Sequence, residues 1–321
     1  MSKVLAIFGS TGQQGGGLIT YILNDPELSA TYKIRAITRD PTSPKALRLA
    51  QQDPSIEVVA ADITDSPSLS RALAGAQTAF LVTPPSSGKP DGFETELNAA
   101  RAMADAAVGA GVEYVIFSTL PPVSRISGGK YARVAAFDAK AAAEAYIRSL
   151  PVRSAFYCPG SFMENFRNPY AMLRRRREGE AEGEGDETMV LALHASPGAR
   201  FPVIAAVEDT GKFVGAILAE PDRFAGERID AAAEMLSWEE VCEAMTRVTG
   251  RKIVYRQVPV EEYRAGLPPA AADLFVEVFS YYEEFGYFGP DTEESVARGK
   301  EMARGKLTTF EEWLRAHPIE F

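Results

Sequence analysis

Three glycines near the start of the chain, Gly9, Gly12 and Gly15, have the spacing of a phosphate-binding turn. They follow the apolar run 4–8 and precede an apolar helix that begins at Leu18. Gly9 permits a tight turn, Gly12 lets backbone N–H groups approach phosphate oxygens, and Gly15 lets the helix pack closely on the strand. The helix N-terminus adds unpaired N–H groups and a dipole that favours negative charge. The pattern predicts a nucleotide site with contacts from Gly9, Thr11, Gly12, Gln13, Gln14 and Gly15.

The end of the second predicted strand indicates which dinucleotide fits the site. Arg39 offers a fork of donors to a 2′-phosphate and a flat face to adenine, and Thr38 and Lys45 could add contacts. Asp40 is the alternative reader, because an acid at this strand end bonds the ribose 2′-hydroxyl in NAD-dependent proteins. We predict NADP(H) as the cofactor, with Arg39 and Lys45 at its 2′-phosphate.

Two further strand ends offer cofactor contacts. Asp62 closes the third strand and either meets the adenine edge or serves as a turn residue. Thr83 and Pro84 follow the fourth strand, where the backbone commonly runs beneath the phosphates and ribose of a dinucleotide. We predict that all three residues belong to the cofactor site.

The elements that position these residues alternate in type along the first half of the chain. Apolar runs predict strands over 4–8, 33–38, 57–61, 78–82, 114–118 and 152–157, and helices over 18–24, 45–51, 68–74, 93–110 and 135–150. This alternation is typical of an α/β fold with a Rossmann-type, doubly wound parallel sheet. We predict a cofactor domain over 1–158, completed by 203–231, and a smaller α/β region built from 159–202 and 232–321.

Bulk properties argue against several classes of protein. The net charge of −10 argues against an extended nucleic-acid surface, and the acidic run 178–187 neutralises the four arginines 174–177. Two cysteines are too few for a disulfide framework, and with two histidines they show no metal-binding spacing. No apolar run is long enough to span a bilayer. We expect a cytoplasmic protein that binds no metal, no membrane and no nucleic acid directly.

Proton-transfer chemistry would depend on Ser118, Tyr131 and Lys140 as catalytic residues. In short-chain dehydrogenases/reductases, which this chain resembles, a serine follows the fifth strand and a Tyr-x-x-x-Lys helix supplies a tyrosine as proton donor. Here Ser118 ends the fifth predicted strand and Lys140 lies in the next helix, but Ala136 occupies the position of the tyrosine. We predict that Lys140 bonds the nicotinamide ribose, while Tyr131, one loop earlier, is the alternative source of a hydroxyl.

Several segments together resemble the NmrA-like family, a group of atypical short-chain dehydrogenase relatives. They are the glycine loop 8–16, the strand end 35–41, Phe137-Asp-Ala-Lys140 with Glu144, the segment 159–165 and the ending 310–313. The resemblance covers nearly the whole chain and implies an NADP(H)-binding Rossmann domain with a smaller α/β C-terminal region. Pro159 and Phe162 complete the predicted cofactor contacts. Family members often carry a histidine just before Phe137, where this chain has Ala136.

The resemblance implies two kinds of function. Founding members of the family are regulators that sense nicotinamide cofactor and bind protein partners, whereas other members reduce small molecules. The aromatic second half favours a pocket for a small apolar substrate such as an enone, imine or quinone, although the same side chains could form core. We predict an NADPH-dependent oxidoreductase whose proton comes from Lys140, Tyr131 or water. The alternative is an inactive redox sensor with access to the nucleus, which binds a protein partner through a surface such as 174–187.

Overall fold

The structure, a computed structural model, describes residues 2–84, 91–167, 173–175 and 188–319. The strands are β1 (Lys3–Ile7), β2 (Tyr32–Thr38), β3 (Glu57–Ala60), β4 (Thr78–Leu81), β5 (Tyr114–Ser118), β6 (Arg153–Pro159), β7 (Ser161–Phe162), β8 (Leu173–Arg175), β9 (Met189–Leu193), β10 (Arg200–Ile204), β11 (Arg228–Ala231), β12 (Glu234–Ser237) and β13 (Ile253–Gln257). The helices are α1 (Gln13–Asn24), α2 (Pro26–Thr31), α3 (Pro44–Gln52), α4 (Ser66–Leu73), α5 (Gly92–Gly109), α6 (Val123–Ile126), α7 (Ala135–Ser149), α8 (Ala206–Ala219), α9 (Trp238–Thr249), α10 (Val260–Ala265), α11 (Pro269–Phe285), α12 (Thr292–Met302) and α13 (Phe310–Ala316). A 3₁₀ turn over Met163–Arg167 follows β7.

Seven parallel strands form the central sheet in the order β3-β2-β1-β4-β5-β6-β11. The strand order reverses between β1 and β4, which opens a crevice at the carboxyl ends of these strands. Two smaller sheets, β12-β10-β7 and β13-β9-β8, accompany the central one. The predicted Rossmann-type α/β fold is therefore confirmed, and the two smaller sheets are an addition that the structure shows.

Helices cover both faces of the central sheet, which explains why its middle strands are buried. Every residue of β4 and β5 is buried. Successive side chains of β1 point to opposite faces. Leu5 and Ile7 pack with residues of α1 and α8, whereas Ala6 packs with residues of α4 and α5. The carboxyl ends of the strands are thus held between two layers of helix.

Helix α1 begins at Gln13, five residues before the start at Leu18 that the apolar pattern predicts. The glycines of the loop occupy its first turns and leave room for α8. A Cβ atom on Gly17 would lie 2.1 Å from the carbonyl oxygen of Val207, and one on Gly211 would lie 2.1 Å from Cβ of Tyr21. The two helices can approach this closely only because these positions lack side chains.

A second core joins the smaller sheets to helices α9, α11 and α13. Trp238 packs against Phe201 with ring centroids 4.2 Å apart and planes tilted by 30°, and it meets Phe279 edge-on at 5.3 Å. Trp313 stacks on Phe310 at 6.2 Å. Many aromatic side chains of the second half therefore build the core, as the packing alternative predicts. Within the residues described above, no helix is both long and apolar enough to cross a membrane.

Candidate cofactor site and active site

The turn after β1 has a backbone that only glycine fits. Gly9 has a φ of +63°, and a Cβ atom on it would lie 2.6 Å from Cγ1 of Val82. A Cβ atom on Gly15 would lie 2.4 Å from the carbonyl oxygen of Gly9. The N–H of Gly12 donates to that same carbonyl at 2.9 Å, and the Ser10 hydroxyl donates to β2 at 2.8 Å. The loop is therefore a tight turn fixed against both the sheet and the helix.

The N-terminus of α1 is suited to an anion. Gly12 is the N-cap residue and provides no side-chain cap, and the first turn contains no acid. The first N–H groups of a helix have no partner within the helix and carry a partial positive charge. Together with the glycine cradle beneath it, this terminus fits the pyrophosphate of a dinucleotide.

An open cleft of about 310 Å³ continues from the loop between α1 and α3. Thr11, Gly12 and Gln13 line its upper end, and Lys45 and Arg48 line it from α3. These two cations are three residues apart and so lie on one face of the helix. Arg48 was missed by the sequence analysis, although this spacing from Lys45 could have indicated it. The cleft fits a second anionic group beside the pyrophosphate.

The acids that follow β2 and β3 accept hydrogen bonds within local turns. The carboxylate of Asp40 accepts hydrogen bonds from the backbone N–H and the hydroxyl of Thr42, and these bonds lower the pKa of Asp40. Asp62 accepts the equivalent pair from Thr64, both at 2.8 Å. These bonds lower the pKa of Asp62, with a smaller contribution from the charge of Arg39. Asp62 is therefore a turn residue, while its contact with adenine stays a prediction.

Lys140 lies at the carboxyl edge of the sheet, paired with a buried acid. Its Nζ is 2.9 Å from Oε1 of Glu96 and also donates to the hydroxyl of Thr83. The Thr83 hydroxyl in turn donates to Glu96 at 2.6 Å. The backbone carbonyl of Lys140 accepts from Thr119, which follows β5. Sequence reasoning missed Glu96, because an acid in a helix with many exposed polar positions gives no sign of burial.

The other two predicted catalytic side chains have separate partners. The Ser118 hydroxyl is buried and donates to the side-chain oxygen of Gln14 at 2.7 Å, which ties β5 to the glycine loop. Tyr131 is also buried, and its hydroxyl donates to Glu284 on α11 at 2.7 Å. Burial and the neighbouring Glu284 raise the pKa of Tyr131. The structure thus brings Lys140 together with Thr83, and Ser118 with Gln14, but directs Tyr131 to α11.

The remaining predicted contacts lie around the same edge. Pro159 ends β6, and its carbonyl accepts from the hydroxyl of Tyr287 at 3.1 Å. Phe162 is half-buried in β7. Pro84 is exposed, and the residues immediately after it lie outside the described ranges, as does the acidic segment 178–187.

Neither histidine faces this edge. His194 is hydrogen-bonded to Ser280 at 3.0 Å, and His317 pairs with Glu208 at 2.6 Å. Over the ranges that the structure describes, no group of three or more His, Cys, Asp or Glu side chains is placed to hold a metal ion.

Comparison with known proteins identifies the family. The model of the NmrA-like family matches residues 1–314. The chain belongs to the NmrA-like family. A relative from Cladobotryum sp, the NmrA-like family domain-containing oxidoreductase FrzB, is 29% identical over 98% of this chain and 96% of its own length.

Solved structures show the same fold. NmrA, a negative transcriptional regulator in complex with NAD, superposes with a TM-score of 0.77 and 22% identity over 98% of this chain and 95% of its own. A second NmrA structure, in complex with NADP, gives 0.76. The NADPH-dependent quinone oxidoreductase QOR2 of Escherichia coli, complexed with NADPH, gives 0.73 and 21% identity over 97% of this chain and 99% of its own.

Proposed function

We propose that this NmrA-like protein binds NADP(H) and is an NADPH-dependent oxidoreductase for a small apolar substrate such as an enone, imine or quinone. The main support for the proposal is that three features lie next to one another at one edge of the central sheet. The glycine turn and the uncapped start of α1 suit a pyrophosphate. The cationic cleft suits a further phosphate, and Lys140 lies where β4 and β5 end.

The charges around the cleft support NADP(H) over NAD(H). Lys45 and Arg48 line the cleft, and Arg39 is exposed at the end of β2. Asp40, the alternative ribose reader, is bonded to Thr42 in the turn before α3. A 2′-phosphate would therefore meet three cations, which form strong charge-assisted hydrogen bonds with phosphate oxygens. The carboxylate that would bond a ribose 2′-hydroxyl uses one of its two oxygens, Oδ1, in the turn with Thr42.

Lys140 would orient the reacting end of the cofactor. Bound NADPH supplies the hydride; the protein supplies orientation and exclusion of water. The ammonium group of Lys140 can bond the nicotinamide ribose and stabilise negative charge that develops on the substrate. Because the Tyr131 hydroxyl is bonded to Glu284, the proton is expected from water or from Lys140. The naming of FrzB as an oxidoreductase and of QOR2 as a quinone oxidoreductase supports this class of reaction.

A redox sensor is the second candidate, favoured by one observation. Ser118, Tyr131 and Lys140 all have protein partners, so the described residues present no separate proton donor of the short-chain dehydrogenase kind. NmrA, which shares the fold, is named a negative transcriptional regulator. In this role the chain would bind a protein partner and would need different affinities for NADPH and NADP+, because equal affinities cannot shift a conformational equilibrium.

Two measurements on the same protein distinguish the oxidoreductase from the sensor: turnover of NADPH and affinity for NADPH and NADP+. Calorimetric titration gives the dissociation constants for NADPH and NADP+, and absorbance at the NADPH band follows oxidation with a panel of quinones, enones and imines. The oxidoreductase proposal expects turnover that Lys140→Met abolishes and that Arg298→Ala, a change of an exposed arginine on α12, leaves intact. No turnover, together with an affinity difference above about tenfold, contradicts the oxidoreductase and supports the sensor.

A further inference from the structure

A buried carboxylate lies directly beneath Lys140. Glu96, on α5, is 1% exposed; its Oε1 accepts a hydrogen bond from Thr83 and forms an ion pair with Lys140. A charged carboxylate is almost never buried to this degree unless it is paired. The side chain of Lys140 is itself only 12% exposed. The pair therefore lies within the protein, with one end at the carboxyl edge of the sheet.

We propose that Glu96 is a positioning residue that, with Thr83, aims the ammonium group of Lys140 at the nicotinamide ribose. This inference rests on the proposed binding of NADP(H). A lysine ammonium has three N–H donors and no acceptor. One donor goes to Oγ1 of Thr83, and the ion pair with Oε1 of Glu96 fixes a second side of the ammonium group. Within the described residues, Thr83 and Glu96 are the polar partners of this ammonium group, which leaves a donor for a ligand.

The hydroxyl of Thr83 makes this arrangement directional. Its proton points to Glu96 at 2.6 Å, so its oxygen presents lone pairs to Lys140. In a Glu96→Gln variant, the amide NH₂ group could turn toward Thr83 or Lys140 and would compete for the lone pairs of the Thr83 oxygen. The carboxylate has only acceptors and therefore holds both neighbours in one orientation. A long lysine side chain fixed in this way loses less conformational entropy when a ligand binds.

A second buried carboxylate–lysine pair shows what a structural pair looks like in this chain. Asp209 is 0% exposed and lies 2.7 Å from Nζ of Lys212. Its other hydrogen bonds come from the backbone N–H and the hydroxyl of Thr308, and Lys212 also donates to the carbonyl of Lys306. This pair joins α8 to the segment before α13. It is a matched control for Glu96.

A double-mutant cycle tests whether Glu96 acts through Lys140. The dissociation constant for NADPH is measured for wild type, Glu96→Gln, Lys140→Met and the double variant. We expect Glu96→Gln to weaken NADPH about tenfold, or about 1.4 kcal/mol, in the wild-type background and less than twofold when Lys140 is already methionine. Such non-additivity is the signature of two residues that act as a unit. Asp209→Asn should lower the melting temperature and leave the NADPH affinity within about twofold.

Three results would overturn the inference, and each is distinct. An unchanged NADPH affinity in Glu96→Gln would make the pair purely structural, like the Asp209 pair. An equal loss in both backgrounds would show that Glu96 acts through the fold rather than through Lys140. Thr83→Val gives an independent second cycle with the same expectation, and additivity there would also contradict the proposal. A wild-type protein that binds no NADPH would instead refute the proposed cofactor function itself.

Discussion

Arg48 tests how the cleft recognises a 2′-phosphate, because only the structure, and not the sequence pattern, identified this residue. It lines the cleft together with Lys45 and the glycine loop, and it is exposed to solvent. Arg48→Ala removes one positive charge from the place where a 2′-phosphate would lie. Two unit charges about 4 Å apart in water attract by about 1 kcal/mol, and a phosphate carries about 1.5 to 2 charges. The expected loss is therefore about 1.5 to 2 kcal/mol, or roughly 10- to 30-fold in the dissociation constant for NADPH.

The assay compares NADPH with NADH for the same variant, by calorimetry at low ionic strength where surface charges are least screened. NADH lacks the 2′-phosphate, so its affinity should stay within about twofold. Arg298→Ala, on the distant surface of α12, controls for the loss of an exposed arginine. Equal losses for NADPH and NADH would show that Arg48 supports the fold of the cleft rather than the phosphate. No loss for either would remove Arg48 as a reader of the 2′-phosphate and leave Lys45 and Arg39 in that role.

Three further predictions follow from the geometry of single residues. Gly15→Ala places a methyl group 2.4 Å from a backbone oxygen, so it should destabilise the fold by about 1–3 kcal/mol and abolish cofactor binding. The matched control is Gly109→Ala, at the end of α5 with open space around it. This control should be neutral or slightly stabilising by thermal melting. Tyr131→Phe removes only the bond to Glu284, so turnover should persist with a stability loss of about 1 kcal/mol; a loss of turnover above about tenfold at an unchanged melting temperature would instead restore Tyr131 as the acid. Lys306 and the capping bonds of Thr309 lower the pKa of Glu312 from its ordinary value of 4.5 to about 2. The stability that this carboxylate contributes is therefore present above pH 4.5 and is lost as the pH falls toward 2. The melting temperatures of wild type and Glu312→Gln should differ at about pH 6 and converge near pH 2.

The central sheet could be predicted because each of its strands is encoded by a local sequence pattern. Each strand is a short apolar run, and the connecting helices have their own apolar faces. The apolar pattern alone therefore places each of the first six strands within two residues of its observed bounds. Helix α12 could not be found in this way. Five of its eleven residues are charged, and only Thr292, Val296 and Gly299 are buried. A Cβ atom on Gly299 would lie 2.1 Å from the carbonyl oxygen of Asp230, so contact with β11 rather than amphipathicity defines how this helix packs.

The residues of the candidate site also differ in whether the sequence alone could predict them. The glycine loop could be predicted because its function depends on backbone space at three fixed positions. Glu96 could not, because its role depends on the approach of α5 and α7, which brings together residues 44 positions apart in the sequence. The partner of Tyr131 was missed for the same reason, since Glu284 lies 153 residues later in the chain. Long-range pairs of polar side chains leave no periodic pattern.

The most direct test of the account is a calorimetric titration of the purified chain with NADPH and, in parallel, with NADH. The glycine cradle and the three cations near the cleft predict that both ligands bind at the same single site, with NADPH at least tenfold tighter. A preference for NADH would contradict the assignment of the cleft to a 2′-phosphate. The absence of binding by either ligand would contradict the central claim that this sheet edge is a nicotinamide cofactor site.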